Sequence, residues 1–163
     1  MNDKLRGTRC CFTGHRPQSL KRPEDDIRVD LENCILASAR EGCRTFISGM
    51  ACGVDIWAAE IVIRMKDQFP DMHLHLIAAI PYAGFDEHWS AEWRERYRSL
   101  LGQAEYVKVV EPFSSRAAYQ KRNEWMVNHS ARVIAVYNGQ AGGTRNTIRY
   151  ARRQNVPVIL LPG

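Results

Sequence analysis

Short runs dominated by apolar residues alternate along the chain with longer segments in which apolar positions recur every three or four residues. The short runs fall at residues 9–13, 45–47, 74–80, 106–110, 132–137 and 156–161. They are continuous rather than alternating in polarity, which predicts strands of a parallel sheet buried on both faces. The longer segments carry helical spacing. Ile27, Leu31, Ile35 and Ala39 form one stripe, ended by Gly42 in the manner of a helix C-terminal glycine. Residues 54–69 are apolar nearly all round in their first half (Ile56, Trp57, Ala58, Ala59, Ile61, Val62, Ile63), which argues for burial against the sheet. Trp89, Trp93, Tyr97 and Leu100 mark the inward face of a further helix, Tyr119, Asn123 and Met126 that of another over 116–129, and residues 144–154 form the last. Strand and helix alternate with no repeat, low-complexity tract or linker. The chain therefore reads as one α/β domain over residues 1–163, doubly wound, its mainly parallel sheet covered by helices on both faces.

Glycine-rich turns follow several of these strands: residues 13–17, 48–55 and 138–144. In an open α/β sheet the crevice at the carboxyl ends of the strands is where ligands bind. Gly142-Gly143-Thr144 opens a helix directly after a buried strand, and free amides at such a start bind anions. Thr144 reads as the N-cap. The first turn of that helix carries Arg145 and no carboxylate, so its macrodipole is left for a ligand's charge to complement. In Ser48-Gly49-Met50-Ala51-Cys52-Gly53-Val54-Asp55 the acid sits in the first helical turn, where it repels phosphate. Asp55 is read as a helix cap or as a partner for sugar hydroxyls. Glu60 lies among apolar residues and is either partnered or functional.

Gly14-His15-Arg16 supplies a histidine suited to proton transfer and an arginine that either binds phosphate or sits free on the surface. Pro81-Tyr82-Ala83-Gly84 turns out of the third strand, with Tyr82 placed to stack on a base or to cover the core. Arg122-Asn123 lie in the 116–129 helix, and Asn123 on its apolar stripe needs a hydrogen-bond partner, in the crevice or in a braced loop.

Composition narrows the class. The chain has 163 residues, 45% hydrophobic and 25% charged, as in a globular domain. Its start is polar and no run approaches a membrane span, so a cytoplasmic protein with no membrane partner is expected. The five cysteines (Cys10, Cys11, Cys34, Cys43 and Cys52) show no Cys-x-x-Cys spacing and the histidines are scattered, so no metal site is expected and reduced, buried thiols are. The net charge of +5 is modest, and Arg149, Arg152 and Arg153 near a helix end account for much of it.

Four ordered blocks carry a resemblance: Cys11-Phe12-Thr13-Gly14-His15-Arg16-Pro17, Gly49-Met50-Ala51-x-Gly53-Val54-Asp55-x-Trp57-Ala58-Ala59-Glu60, Arg122-Asn123-x-x-Met126-Val127 and Gly142-Gly143-Thr144. Together they resemble the YpsA-like branch of the SLOG superfamily, which includes the Lonely Guy phosphoribohydrolases and the DNA-processing protein DprA. The resemblance implies a Rossmann-like fold and a pocket for a nucleotide or ADP-ribose-like ligand, with no cofactor assigned. Its candidate ligand-binding residues are Gly14, His15, Arg16, Ser48, Gly49, Met50, Gly53, Asp55, Pro81, Tyr82, Arg122, Asn123, Gly142, Gly143 and Thr144.

Lonely Guy enzymes carry a catalytic glutamate in Pro-Gly-Gly-x-Gly-Thr-x-x-Glu. Here Gly143-Thr144 matches, Thr147 stands at the glutamate position, and the leading Pro-Gly-Gly is missing. The expectation is thus a nucleotide-binding sensor or regulatory module. The first alternative is a hydrolase of N-glycosidic or phosphate bonds using Asp55 or Glu60. The second is DprA-like binding of single-stranded DNA through the basic helix ends, which only the modest basic excess supports. A homo-oligomer is left open.

Overall fold

Strand β1 (Arg9–Gly14) lies between β2 (Thr45–Ser48) and β5 (Arg132–Tyr137) in a computed structural model that describes residues 3–163. Six strands form one sheet in the order β4-β3-β2-β1-β5-β6, every adjacent pair parallel; the remaining strands are β3 (His75–Tyr82), β4 (Tyr106–Glu111) and β6 (Val158–Pro162). The helices are α1 (Asp3–Arg6), α2 (Glu24–Arg40), α3 (Val54–Gln68), α4 (Ala91–Gln103), α5 (Arg116–Asn128) and α6 (Gly143–Arg153). This is a doubly wound, Rossmann-like α/β fold.

The pleat explains the apolar runs. Cys10 and Phe12 of β1 join Phe46, Leu76, Ala78, Ile134 and Val136 on the face covered by α2, α3 and α4, where Ile27, Leu31, Ile35, Ala58 and Val62 pack. Cys11 points the other way, with Ile47, Ala79, Val133 and Ala135, against Met126, Val127 and Ile148 of α5 and α6. Successive strand residues thus enter opposite cores, so each must be apolar. Burial pushes the Cys11 thiol up to about 12, and all five cysteines are free.

Differences from the sequence reading lie at the margins. β4 is an edge strand, so Tyr106, Val107 and Val109 are exposed where burial on both faces was expected. β3 runs through Pro81 to Tyr82, which pairs with Glu111, instead of turning at Pro81. Trp89 precedes α4, whose N-cap is Ser90. Among the described residues no helix is long and apolar enough to cross a membrane.

From β1 the chain steps to β2 on one side, while β5 flanks β1 on the other. That reversal of direction leaves a gap above the carboxyl ends of β1 and β5, the place where doubly wound sheets bind ligands.

Candidate functional site

The loops after β1 and β2 interlock first. A Cβ on Gly14 would lie 2.5 Å from that of Val54, and one on Gly53 would lie 2.9 Å from Pro17 Cδ, so bare backbone lets α3 begin hard against the β1 loop. Within the second loop the Ser48 hydroxyl donates to the Asp55 carbonyl at 2.8 Å and accepts from the Met50 amide at 3.1 Å. Met50 is wholly buried, so its side chain belongs to the core and not to a ligand surface.

Asp55 and Arg122 are the buried charges of the site, at 6% and 4% exposure. Arg122, from α5, donates through Nη1 to the carbonyls of Gly49 and Ala79 and through Nε to Asn123 Oδ1 at 2.8 Å. A Cβ on Gly49 would sit 2.8 Å from Arg122 Nη1 and 2.9 Å from Asp55 Oδ2, so the absent side chain is what lets both groups flank this turn. Asp55 Oδ2 accepts from the Ala51 amide at 3.3 Å, while Oδ1 is buried with no hydrogen-bond partner. No ion pair joins Asp55 to Arg122 among the described residues. Burial pushes the Asp55 carboxyl up to about 6, against the opposing pull of the Arg122 charge. Burial likewise lowers the pKa of Arg122, with Asp55 countering it.

The third loop ends in the left-handed region. Gly142 is the N-cap of α6 at φ 148°, a backbone that L side chains rarely adopt. The cap was expected at Thr144, but the chain turns two residues earlier, so Thr144 is already helical and no side chain caps α6. Its first turn holds no acid. Thr147, at the glutamate position of the Lonely Guy pattern, donates its hydroxyl to the Gly143 carbonyl at 2.9 Å.

His15 ties the first loop to the third. Its Nε2 accepts from the Asn138 amide at 3.1 Å and its ring stacks on Tyr137. The ring proton therefore resides on Nδ1, and desolvation lowers the pKa, which keeps the imidazole neutral. The expected proton shuttle is in this arrangement a brace.

These loops enclose a crevice of about 390 Å³. Of the residues predicted from sequence, Gly14, His15, Arg16, Asp55, Arg122, Asn123, Gly142, Gly143 and Thr144 line it. Arg16 is exposed and has no partner among the described residues. Ser48, Gly49, Met50 and Gly53 stand behind the lining and shape it. Pro81 is buried in β3, and the Tyr82 hydroxyl meets that of Tyr119 at 3.0 Å, so it is Tyr119 that reaches the crevice.

Tyr119 went unselected, as did Thr13, Gln18, Ser19, Ala51 and Ala141. Its signal was available: it stands one helical turn before Asn123 on the same face of α5. The buried polar residue of that face is Arg122 rather than Asn123. Glu60 lies elsewhere, bonded to Arg28 at 3.2 Å and to Arg96 at 2.6 Å where α2, α3 and α4 meet. Partnership thus accounts for its place among apolar residues. Asp55 is the one carboxylate lining the crevice among the described residues. The site pairs a helix start able to hold an anion with a wall that carries a buried carboxylate and a buried guanidinium.

Residues 10–157 match the model described as the YspA SLOG family. The SPbeta prophage-derived protein YoqJ of Bacillus subtilis is 35% identical over 142 residues, covering 80% of this chain and 80% of its own. A UPF0398 protein of Bacillus pumilus is 25% identical over 140 residues, covering 81% of this chain and 74% of its own. Among solved structures, DNA processing protein A from Helicobacter pylori, described for its single-stranded DNA binding mode, superposes with a TM-score of 0.65 at 21% identity, over 100% of this chain and 69% of that one. The DprA structure from Streptococcus pneumoniae also gives 0.65, at 16% identity, over 99% of this chain and 52% of that one. At these identities the structural likeness speaks to the fold.

Proposed function

The chain belongs to the YspA SLOG family, and from that premise we propose that its crevice binds a phosphate-bearing small molecule of the nucleotide class, as a sensor or regulatory module. The observation that carries this is the start of α6, which has neither a side-chain cap nor an acid in its first turn and which lines the crevice with Gly142, Gly143 and Thr144. Such a terminus offers free amides and the positive end of the macrodipole to an anion. Arg16 adds an exposed guanidinium to the lining. ADP-ribose, NAD and nucleoside monophosphates all have the required phosphate. Hydrolysis of such a ligand would rest on Asp55 alone, since Glu60 is held between two arginines outside the crevice.

The test is a thermal-shift series with AMP, ADP-ribose and NAD. A ligand at a hundred times its dissociation constant adds about 2.7 kcal/mol of stability. No shift with any of the three at millimolar concentration would remove the reading.

One observation favours a second reading, binding of single-stranded nucleic acid. Arg145, Arg149, Arg152 and Arg153 of α6 form no ion pair among the described residues, and α6 holds no acid. The macrodipole accounts for the last two but not for Arg145 in the first turn. Binding of labelled oligonucleotides should then weaken with salt, and Arg149→Glu with Arg153→Glu should flatten that dependence by roughly 1.4 in log–log slope, at ~0.7 per phosphate contact. Binding indifferent to salt removes this second reading.

A further inference from the structure

Asp55 is a buried group waiting for a donor. Its Oδ1 has no hydrogen-bond partner, and its Oδ2 accepts only the Ala51 amide at 3.3 Å. The guanidinium beside it, on Arg122, is engaged with backbone carbonyls and with Asn123. Buried acceptors are seldom left unmade, because an orphaned one forfeits its hydration with no return. An ionised carboxylate only accepts, so what completes it must donate. A phosphate cannot do so and is repelled by the charge. The anion seat at Gly142–Thr144 and Asp55 line the same crevice, so one molecule can carry its phosphate at α6 and a donor group at Asp55. In a nucleotide the sugar can be that donor, since its vicinal hydroxyls offer two adjacent O–H groups to a carboxylate. Carboxylates take this role toward ribose in dinucleotide folds.

We propose that Asp55 receives the vicinal hydroxyl pair of a ribose, so that the crevice selects ribonucleotides over their deoxy counterparts. This rests on the crevice being a nucleotide site. It adds a specificity determinant that the glycine turns do not supply, because backbone amides at α6 hold ribo- and deoxyribonucleotides alike. The aromatic ring of Tyr119, also in the lining, then stands available to the base.

The experiment measures dissociation constants for AMP, 2′-deoxy-AMP, 3′-deoxy-AMP and IMP, on the wild-type chain and on Asp55→Asn. The expected result is AMP and IMP alike, each deoxy compound weaker by ~10-fold or more, and the preference lost in Asp55→Asn. Equal affinity for AMP and both deoxy compounds overturns the proposal. Weakened IMP with unaffected deoxy compounds also overturns it, placing the base amine at Asp55 instead. If AMP fails to bind, the proposal falls, whereas a shift with ADP-ribose or NAD would leave the nucleotide reading standing. A folded Asp55→Asn variant, checked by its denaturation curve, keeps loss of binding distinct from loss of structure.

Discussion

Replacing Asp55 by asparagine should stabilise the protein, and by an amount that depends on pH. In the folded chain burial raises this carboxyl from its ordinary 3.8 to about 6, against the opposing charge of Arg122. The folded state therefore holds a proton that the unfolded chain releases. Stability from this group is fully present below pH 3.8 and is lost as pH rises through about 6. A displacement of about two units amounts to ~3 kcal/mol above pH 7, at ~1.4 kcal/mol per unit. Asparagine removes the buried charge while its carbonyl can still accept from the Ala51 amide. Its new amino group has to find an acceptor, so ~3 kcal/mol is an upper limit. Urea denaturation of both proteins at pH 8 and pH 5 measures the effect. The variant should be more stable at pH 8, and its advantage should fall to about half at pH 5, where the wild type is largely protonated when folded. An asparagine variant less stable than wild type at pH 8, or an advantage that ignores pH, would refute the reasoning. Stabilisation joined to lost ligand selectivity is the signature of a residue kept for function at the expense of the fold.

Other substitutions probe neighbouring parts. Gly143→Asp puts a carboxylate in the first turn of α6, where a Cβ meets open space; thermal shift should show a gain of ~0.5 kcal/mol from the macrodipole and the loss of nucleotide binding. Arg122→Met leaves the carbonyls of Gly49 and Ala79 without this donor and Asp55 without its nearest counter-charge. It should cost ~3 kcal/mol in urea denaturation, and adding Asp55→Asn should recover part of that loss, while strict additivity would show that the two are uncoupled. Glu60→Gln should change stability by no more than ~1 kcal/mol, because Glu60 and its partners Arg28 and Arg96 are all roughly a quarter exposed, and ligand affinity should stay unchanged. A large fall in ligand affinity would return Glu60 to the list of functional residues.

The order of elements was legible in the sequence because each depends on local physics. An unbroken apolar run has room only inside a two-faced sheet, and a helical stripe declares which side it buries. The crevice was legible for the same reason. Glycines after β1, β2 and β5 mark where backbone must turn sharply or come close, and the parallel topology gathers those turns at one edge. The absence of an acid at the start of α6 was equally plain from the chain alone.

Pairings between distant residues were decided only by the fold. Whether Glu60 was partnered depended on Arg28 and Arg96, which lie 32 and 36 positions away. His15 became a brace because the Asn138 amide, 123 positions on, donates to its Nε2. Arg122 rather than Asn123 entered the interior because the carbonyls of Gly49 and Ala79 wait there, and no helical periodicity shows a carbonyl on another element. Tyr119 displaced Tyr82 at the crevice by the same kind of contact, a hydroxyl meeting a hydroxyl across 37 positions. β4 read as buried by its apolar run, yet strand order makes it terminal and leaves Tyr106, Val107 and Val109 exposed. Local pattern sets which backbone each segment adopts. Burial of a charge is settled by what packs against it, and that is a property of the assembled chain.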